Sequence, residues 1–136
     1  MNREEIMKIL PHRDSMLLLD EAELVEPGVA RGKLKIRGDE WFLNGHFPGN
    51  PVVPGVILCE IIGQCSCALF KGSIAGKTPY YAGIEKARFR RMVRPGDTVE
   101  IRATELRSKL NVHVISGEAT VDGQLACSGE FSFVIA

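Results

Sequence analysis

Apolar and polar positions along this chain sort into two kinds of segment, and the first kind alternates. In "DTVEIRATELRS" (97–108), Val99, Ile101 and Ala103 recur at every second position, the period of a strand with one buried face. "YYAGIEKARFRRMV" before it reads as another strand. "LNVHVISGEATV" and "LACSGEFSFVIA" follow it, separated by the turn signal Asp122-Gly123. Nearer the start, "SMLLLDEAELVE" is strand-like and "GVARGKLKIRG", with Val29, Arg31, Leu34 and Ile36, alternates well enough for another strand, with Pro27-Gly28 marking the turn between them. Residues 3–9 predict a short helix ended by Pro11.

The second kind is continuous. "PGVILCEIIGQCSCALFKGSIAG" (54–76) predicts a helix with Pro54 near its start, where a missing N–H does no harm, and Gly72 and Gly76 near its end. Between Val56 and Phe70 the apolar residues fall on every face, so this helix is buried rather than laid on a surface. A few strands, one buried helix and a run of long antiparallel strands predict an α+β fold, a curved antiparallel sheet wrapped around one central helix. A single helix covers little of so much sheet, which favours pairing with a second copy.

Composition narrows the class without naming a function. The 136 residues suit one domain spanning 1–136, with 45% hydrophobic and 25% charged positions. Seventeen basic residues balance 17 acidic ones, so net charge gives no reason to expect nucleic acid or a membrane surface as partner. "MNREEIMKIL" lacks the apolar core of a signal peptide, and no run is expected to reach the ~18 apolar residues of a membrane span. Cys59, Cys65, Cys67 and Cys127 show no zinc-ribbon spacing; three lie in the apolar helix, where Cys acts as a small hydrophobe. No metal or cofactor is expected, and a reducing cytoplasm is the simplest location.

The candidate chemistry sits where the loop meets the helix. "GHFPGNPVVPG" (45–55) crowds glycines and prolines around His46, fixing the backbone more tightly than a plain connection needs. The loop leads to the free N–H groups of a helix start, around Gly55 and Val56, a ready place for developing negative charge. Further along, Glu60 lies in a wall that disfavours an unpartnered carboxylate, with Gln64 one turn on and able to hydrogen-bond it. By contrast, His12 beside Pro11 and His113 in a strand pattern read as background. A base, a carboxylic acid and helix-start donors together suit proton abstraction beside a carbonyl with loss of a nearby hydroxyl.

With these residues in view, "GHFPGNPVVPGVILCEIIGQ" resembles the active-site signature of the bacterial (3R)-hydroxyacyl-acyl-carrier-protein dehydratases of the FabZ type. The resemblance extends to "ILPHRDSMLLLD" (9–20), "DEWFLNGHF" before the histidine, and "GIEKARFRRMVRPGD" (83–97), so it covers nearly the whole chain. It implies a hotdog fold and a homodimer, commonly a trimer of dimers, with His46 from one subunit and Glu60 from its partner. It implies that His46 takes the α-proton, Glu60 helps the β-hydroxyl leave, Gly55 offers its N–H to the thioester oxygen, and Gln64 orients the glutamate. It implies no cofactor. The related dehydratase-isomerases carry Asp at the Glu60 position, which favours dehydration without isomerisation here. The chain departs from the family pattern at Asp14-Ser15-Met16, at Val52-Val53, and at Trp41 and Leu43, positions that bear on chain length rather than on the reaction.

Two further expectations concern substrate. Lys86, Arg88, Arg90, Arg91 and Arg94 fall within nine residues. Strand alternation would put the first three on one face and Arg91 on the other, barring a bulge. Such a run is commonly a solvated face; the alternative is a docking patch for an acidic acyl carrier protein. Gly63, Ser66 and Ala68 are small enough to leave room for an acyl chain or for a second helix. Three competing readings remain: a hotdog thioesterase, a non-catalytic acyl-binding hotdog protein, and the same dehydration in a polyketide or aryl-polyene route.

Overall fold

The computed structural model describes all 136 residues. Six strands form one antiparallel sheet: β1 (Glu21–Glu26), β2 (Val29–Lys35), β3 (Pro79–Phe89), β4 (Thr98–Lys109), β5 (Val112–Val121) and β6 (Gln124–Ile135), in spatial order β1-β2-β4-β5-β6-β3. Short α1 (Arg3–Met7) precedes them. The central helix α2 (Gly55–Ser66) runs on through a tighter turn at Cys67–Phe70 into α3 (Lys71–Ile74). The α+β expectation of a sheet around one helix is met.

The helix seats on the concave face because the sheet makes room for it. At Gly117 in β5 a Cβ atom would collide with the Ile62 side chain, and at Gly32 in β2 it would lie 2.8 Å from the Cys65 sulfur. Ile61, Ile62, Cys65 and Ser66 are wholly buried against strands that present Ala30, Ala103, Ile115, Ala119 and Phe131. This single core comprises 33 buried residues. From Gly55 to Ile74 the helical run is 20 residues, long and apolar enough by length and composition to cross a membrane, which the sequence pattern did not suggest. Most of it is buried inside the fold, and that accounts for its apolarity.

Four local expectations are corrected. Residues 15–20 are not strand: Asp14–Met16 form a 3-10 turn and β1 begins at Glu21. The reason is that the backbone of Met16 and Leu18 is bonded to the Gln64 side chain instead of to a neighbouring strand. Leu110, expected to open a strand, sits in the hairpin turn between β4 and β5 with φ 57° and is 93% exposed. The cationic strand does not alternate cleanly. A register shift between Glu85 and Arg88 puts Lys86 at φ 55°, and β3 stops at Phe89, so Arg90, Arg91 and Arg94 lie beyond it. Finally, burial along α2 starts at Leu58, whereas Val56 in its first turn is 74% exposed.

Both sheet edges are open, and they differ. Edge strand β1 is short and Glu-rich, which protects an edge from pairing. The other edge, β3, is 11 residues long and leaves Tyr80, Tyr81, Ile84 and Phe89 exposed. Phe47 and Val56, from the loop and the helix start, are exposed as well.

Candidate active site

The Gly/Pro loop is closed on itself at its neck. Val52 N–H donates to the His46 carbonyl at 2.8 Å, and the His46 ring contacts the Val52 carbonyl through Nδ1 at 2.9 Å. Inside the neck, Phe47 and Asn50 exchange backbone hydrogen bonds at 3.0 and 2.9 Å, with Gly49 at φ 72° completing the turn. Val53 N–H anchors the far end to the Val93 carbonyl at 2.8 Å, and the Asn50 side chain accepts from Arg94. A carbonyl oxygen can only accept, so Nδ1 carries the proton and Nε2 keeps its lone pair. The half-buried ring, stacked on Phe47, is therefore a base with its free nitrogen fixed by the loop.

The loop delivers the chain to α2. Its first turn leaves the Gly55 and Val56 N–H groups without a protein acceptor; Ile57 and Leu58 already donate to the Pro54 carbonyl. A Cβ on residue 55 would lie 2.7 Å from the Phe89 ring, so Gly55 is what lets β3 approach this terminus. These two free donors can stabilise an oxyanion.

Glu60 projects into a small cleft of about 30 Å³ lined by His12, Gly63, Gln64, Cys67, Pro79, Tyr80, Tyr81 and Phe133. Its side chain is 23% exposed, so the acid stands at a mouth rather than deep in the core. Gln64, one turn on and 2% exposed, is saturated with partners. Its Oε1 accepts Leu18 N–H at 2.9 Å, which fixes the amide's orientation. Its Nε2 then donates to the Met16 carbonyl at 2.8 Å and to Glu60 Oε2 at 2.9 Å. The i, i+4 pair expected from sequence is present, and its anchor is the leucine-rich segment 46 to 48 residues away.

Sequence reasoning missed His12, which it had set aside as background. Arg13 holds this turn by donating to the carbonyls of Met7, Leu10 and His12 at 2.7 to 2.8 Å. His12 Nε2 thereby stands 3.3 Å from Glu60 Oε2. It missed Tyr81 too, whose hydroxyl donates to the Cys59 carbonyl at 2.6 Å and fills the space that a side chain on Gly63 would need. Burial pushes the Tyr81 phenol up, with the Glu60 charge adding to the effect, so it stays a neutral donor. His113, by contrast, is a core residue, bonded to Ser108 and packed on Phe70.

The structure does not bring His46 and Glu60 together within the chain: no hydrogen bond or ion pair links them, and His46 is not among the residues lining the Glu60 cleft. Nor are the four cations alike. Lys86 pairs with Glu130 at 3.6 Å, and Arg91 is held by Asp97 at 3.8 Å and the Val121 carbonyl. Arg88 bonds only its own neighbour's carbonyl, and Arg90 engages no acidic group. No three His, Cys, Asp or Glu side chains cluster to hold a metal.

Residues 10–130 match the FabA-like domain. The chain belongs to the FabA-like family. This FabA-like chain is 46% identical to the 3-hydroxyacyl-acyl-carrier-protein dehydratase FabZ of Oenococcus oeni, over 99% of each chain. It is 44% identical to the protein of the same name from Ligilactobacillus salivarius, over 96% of each. Among solved structures it is similar to the dehydratase heterocomplex ApeI:P from Xenorhabdus doucetiae, with TM-score 0.83 and 18% identity over 96% of this chain and 90% of that one. A hypothetical thioesterase from Streptococcus pneumoniae, solved with coenzyme A, gives TM-score 0.65 and 15% identity over 85% and 84%. These two likenesses place the sheet-around-helix architecture among hotdog folds. Proteins named as a dehydratase and as a thioesterase share that fold, so the fold alone does not choose the chemistry.

Proposed function

We propose that the chain dehydrates (3R)-3-hydroxyacyl thioesters carried on an acyl carrier protein to trans-2-enoyl thioesters, the reaction in the name of its relatives from Oenococcus oeni and Ligilactobacillus salivarius. The observation that carries this reading is the division of roles between two fixed groups. His46 has its tautomer set by Val52 and offers Nε2 as base, while Glu60 is oriented by Gln64 and offers an oxygen as acid.

The steps follow from these positions. His46 Nε2 takes the α-proton, and the electron pair moves toward the thioester oxygen, which the Gly55 and Val56 N–H groups stabilise. As the double bond forms, the β C–O bond breaks and the hydroxyl leaves as water with the Glu60 proton. The proton on His46 returns to Glu60 through solvent, which restores both groups.

Because one chain does not join His46 to Glu60, the site is completed by a second copy: His46 of one subunit works with Glu60 of its partner. The open edge of β3, with Tyr80, Tyr81, Ile84 and Phe89 exposed and Phe89 packed at the start of α2, is the surface that such a dimer would cover. A trimer of dimers is the larger assembly in keeping with the family resemblance. The carrier protein would dock on the cations, where Arg88 and Arg90 are free to meet acidic groups and Lys86 and Arg91 are already engaged within the chain. No metal or cofactor takes part in this scheme.

The test follows hydration of a crotonyl thioester by loss of enoyl absorbance. His46→Ala and Glu60→Gln, each checked for folding, should both be inactive. Refolded together from urea in equal amounts, they should recover roughly a quarter of wild-type activity, since half the dimers are mixed and each of those has one intact site. Inactive wild type would refute the dehydratase reading, and failure of the mixture to recover would refute the shared site.

A further inference from the structure

Outside the roles just assigned, the least explained feature of the cleft is His12. Its ring is half-buried beside Glu60, and its Nδ1 is sealed from solvent with no hydrogen-bond partner. Both contacts to the Glu60 carboxyl fall on one atom: Gln64 Nε2 lies 2.9 Å and His12 Nε2 3.3 Å from Oε2. The other oxygen, Oε1, is engaged by neither.

We propose that His12 is a positioning residue for the dehydration: together with Gln64 it occupies Oε2 of Glu60 with donors, so that the acidic proton is carried on Oε1, the oxygen presented to the β-hydroxyl. This inference rests on the dehydratase reading and names a residue that the reading does not otherwise use.

Tautomer and burial supply the physical argument. A sealed nitrogen without a partner costs less as a bare lone pair than as an unpaired N–H, since buried donors are almost always satisfied. The neutral ring with its proton on Nε2 puts the lone pair at the sealed Nδ1 and places the donor on the ring nitrogen nearest Glu60. An imidazolium would bury an unpaired, charged N–H instead. Gln64 cannot accept at that point, because Leu18 fixes its amide with Nε2 toward Glu60. Two donors on Oε2 leave no lone-pair direction suited to a proton there, so a protonated Glu60 holds its hydrogen on Oε1. At 3.3 Å the two atoms are in ion-pair contact without the alignment of a hydrogen bond, and the proposed role requires a rotation of the His12 ring to supply it.

The remaining titratable neighbours do not compete for this role. Burial pushes the Cys67 thiol up, and the same is true of the Tyr81 phenol, so both stay neutral and are poor proton partners near neutral pH. Tyr80 completes the lining, 58% exposed. Three bonds from Arg13 hold the His12 turn in place, a heavy restraint for a side chain with no task.

Two measurements on the intact protein test the inference. In 15N-histidine-labelled protein, two-bond 15N–1H correlation spectra should show opposite tautomers, Nδ1–H for His46 and Nε2–H for His12. In steady-state hydration of crotonyl thioester, His12→Leu should lower kcat about tenfold to hundredfold, the worth of one donor to a charged group, while KM moves less than about twofold. His12→Gln, which keeps an amide donor near the Nε2 position, should recover most of the loss. An Nδ1–H tautomer or an imidazolium at His12 overturns the inference, as does a well-folded His12→Leu with wild-type kcat. Inactivity of the wild type itself would instead overturn the dehydratase reading, and the spectra would still report the His12 tautomer.

Discussion

Gly63 gives the sharpest test of how the cleft is built, because its missing side chain is matched to one atom of β3. A Cβ at this position would run into the Tyr81 hydroxyl and lie 2.8 Å from the ring carbon that bears it. That hydroxyl is also tied to the Cys59 carbonyl at 2.6 Å, so it cannot yield without giving up a hydrogen bond. In Gly63→Ala three effects combine. Ala in a helix interior gains about 1 kcal/mol over Gly. Overpacking a filled site costs ~1–3 kcal/mol. Losing the Tyr81 bond costs about 1 kcal/mol more. The net expectation is a loss of about 1–3 kcal/mol, with the sign set by packing against propensity. Tyr81→Phe removes the clashing oxygen and leaves the ring, so Gly63→Ala made on that background should cost less by ~1 kcal/mol. Urea denaturation of the four proteins at one fixed protein concentration reads this directly, the fixed concentration being needed because dimerisation adds to apparent stability. If Gly63→Ala costs the same in both backgrounds, or stabilises the wild type by its propensity gain, Tyr81 does not lock the helix to β3 and the reasoning fails.

Other consequences can be checked with the same protein. Burial holds His113 below its ordinary value of 6.5, so on acidification the unfolded chain binds a proton there before the folded one does; stability should fall as pH drops through about 6.5, and urea curves at pH 7.5 and 5.5 should show a smaller loss for His113→Asn than for wild type. Arg13→Ala removes three donors to carbonyls around His12 and should cost about 1–2 kcal/mol in urea, with a fall in kcat exceeding any rise in KM. Arg90→Ala should raise KM for a carrier-linked substrate several-fold at low ionic strength, more than for a short thioester without carrier, and the difference should shrink in ~0.5 M salt; a difference that persists in salt would refute an electrostatic docking patch.

What was legible in the sequence is what local spacing encodes. Val99, Ile101 and Ala103 all point into the core of β4, and Asp122-Gly123 turns the chain with φ 51° and 76°, because period-two burial and left-handed turns are properties of neighbouring residues. Glu60 and Gln64 lie one helical turn apart, and their contact was readable for the same reason. What escaped involves partners far apart in sequence. "SMLLLDEAELVE" has the composition of a strand, yet at Met16 and Leu18 the backbone is bonded to an amide 46 to 48 residues away. Only the fold reveals that Gln64 stands in for a strand neighbour. The same long link hid His12: beside Pro11 it has no periodicity and no spaced companion, and it acquires meaning only when Arg13 and the Gln64 clamp bring the N-terminal turn against α2. The two misses are one structural fact seen from both sides. The segment that gives up its place in the sheet to hold Gln64 is the segment that carries His12 to Glu60, while its buried Leu17 and Leu18 belong to the core, so a change at His12 should be felt at the acid and a truncation of either leucine in stability as well.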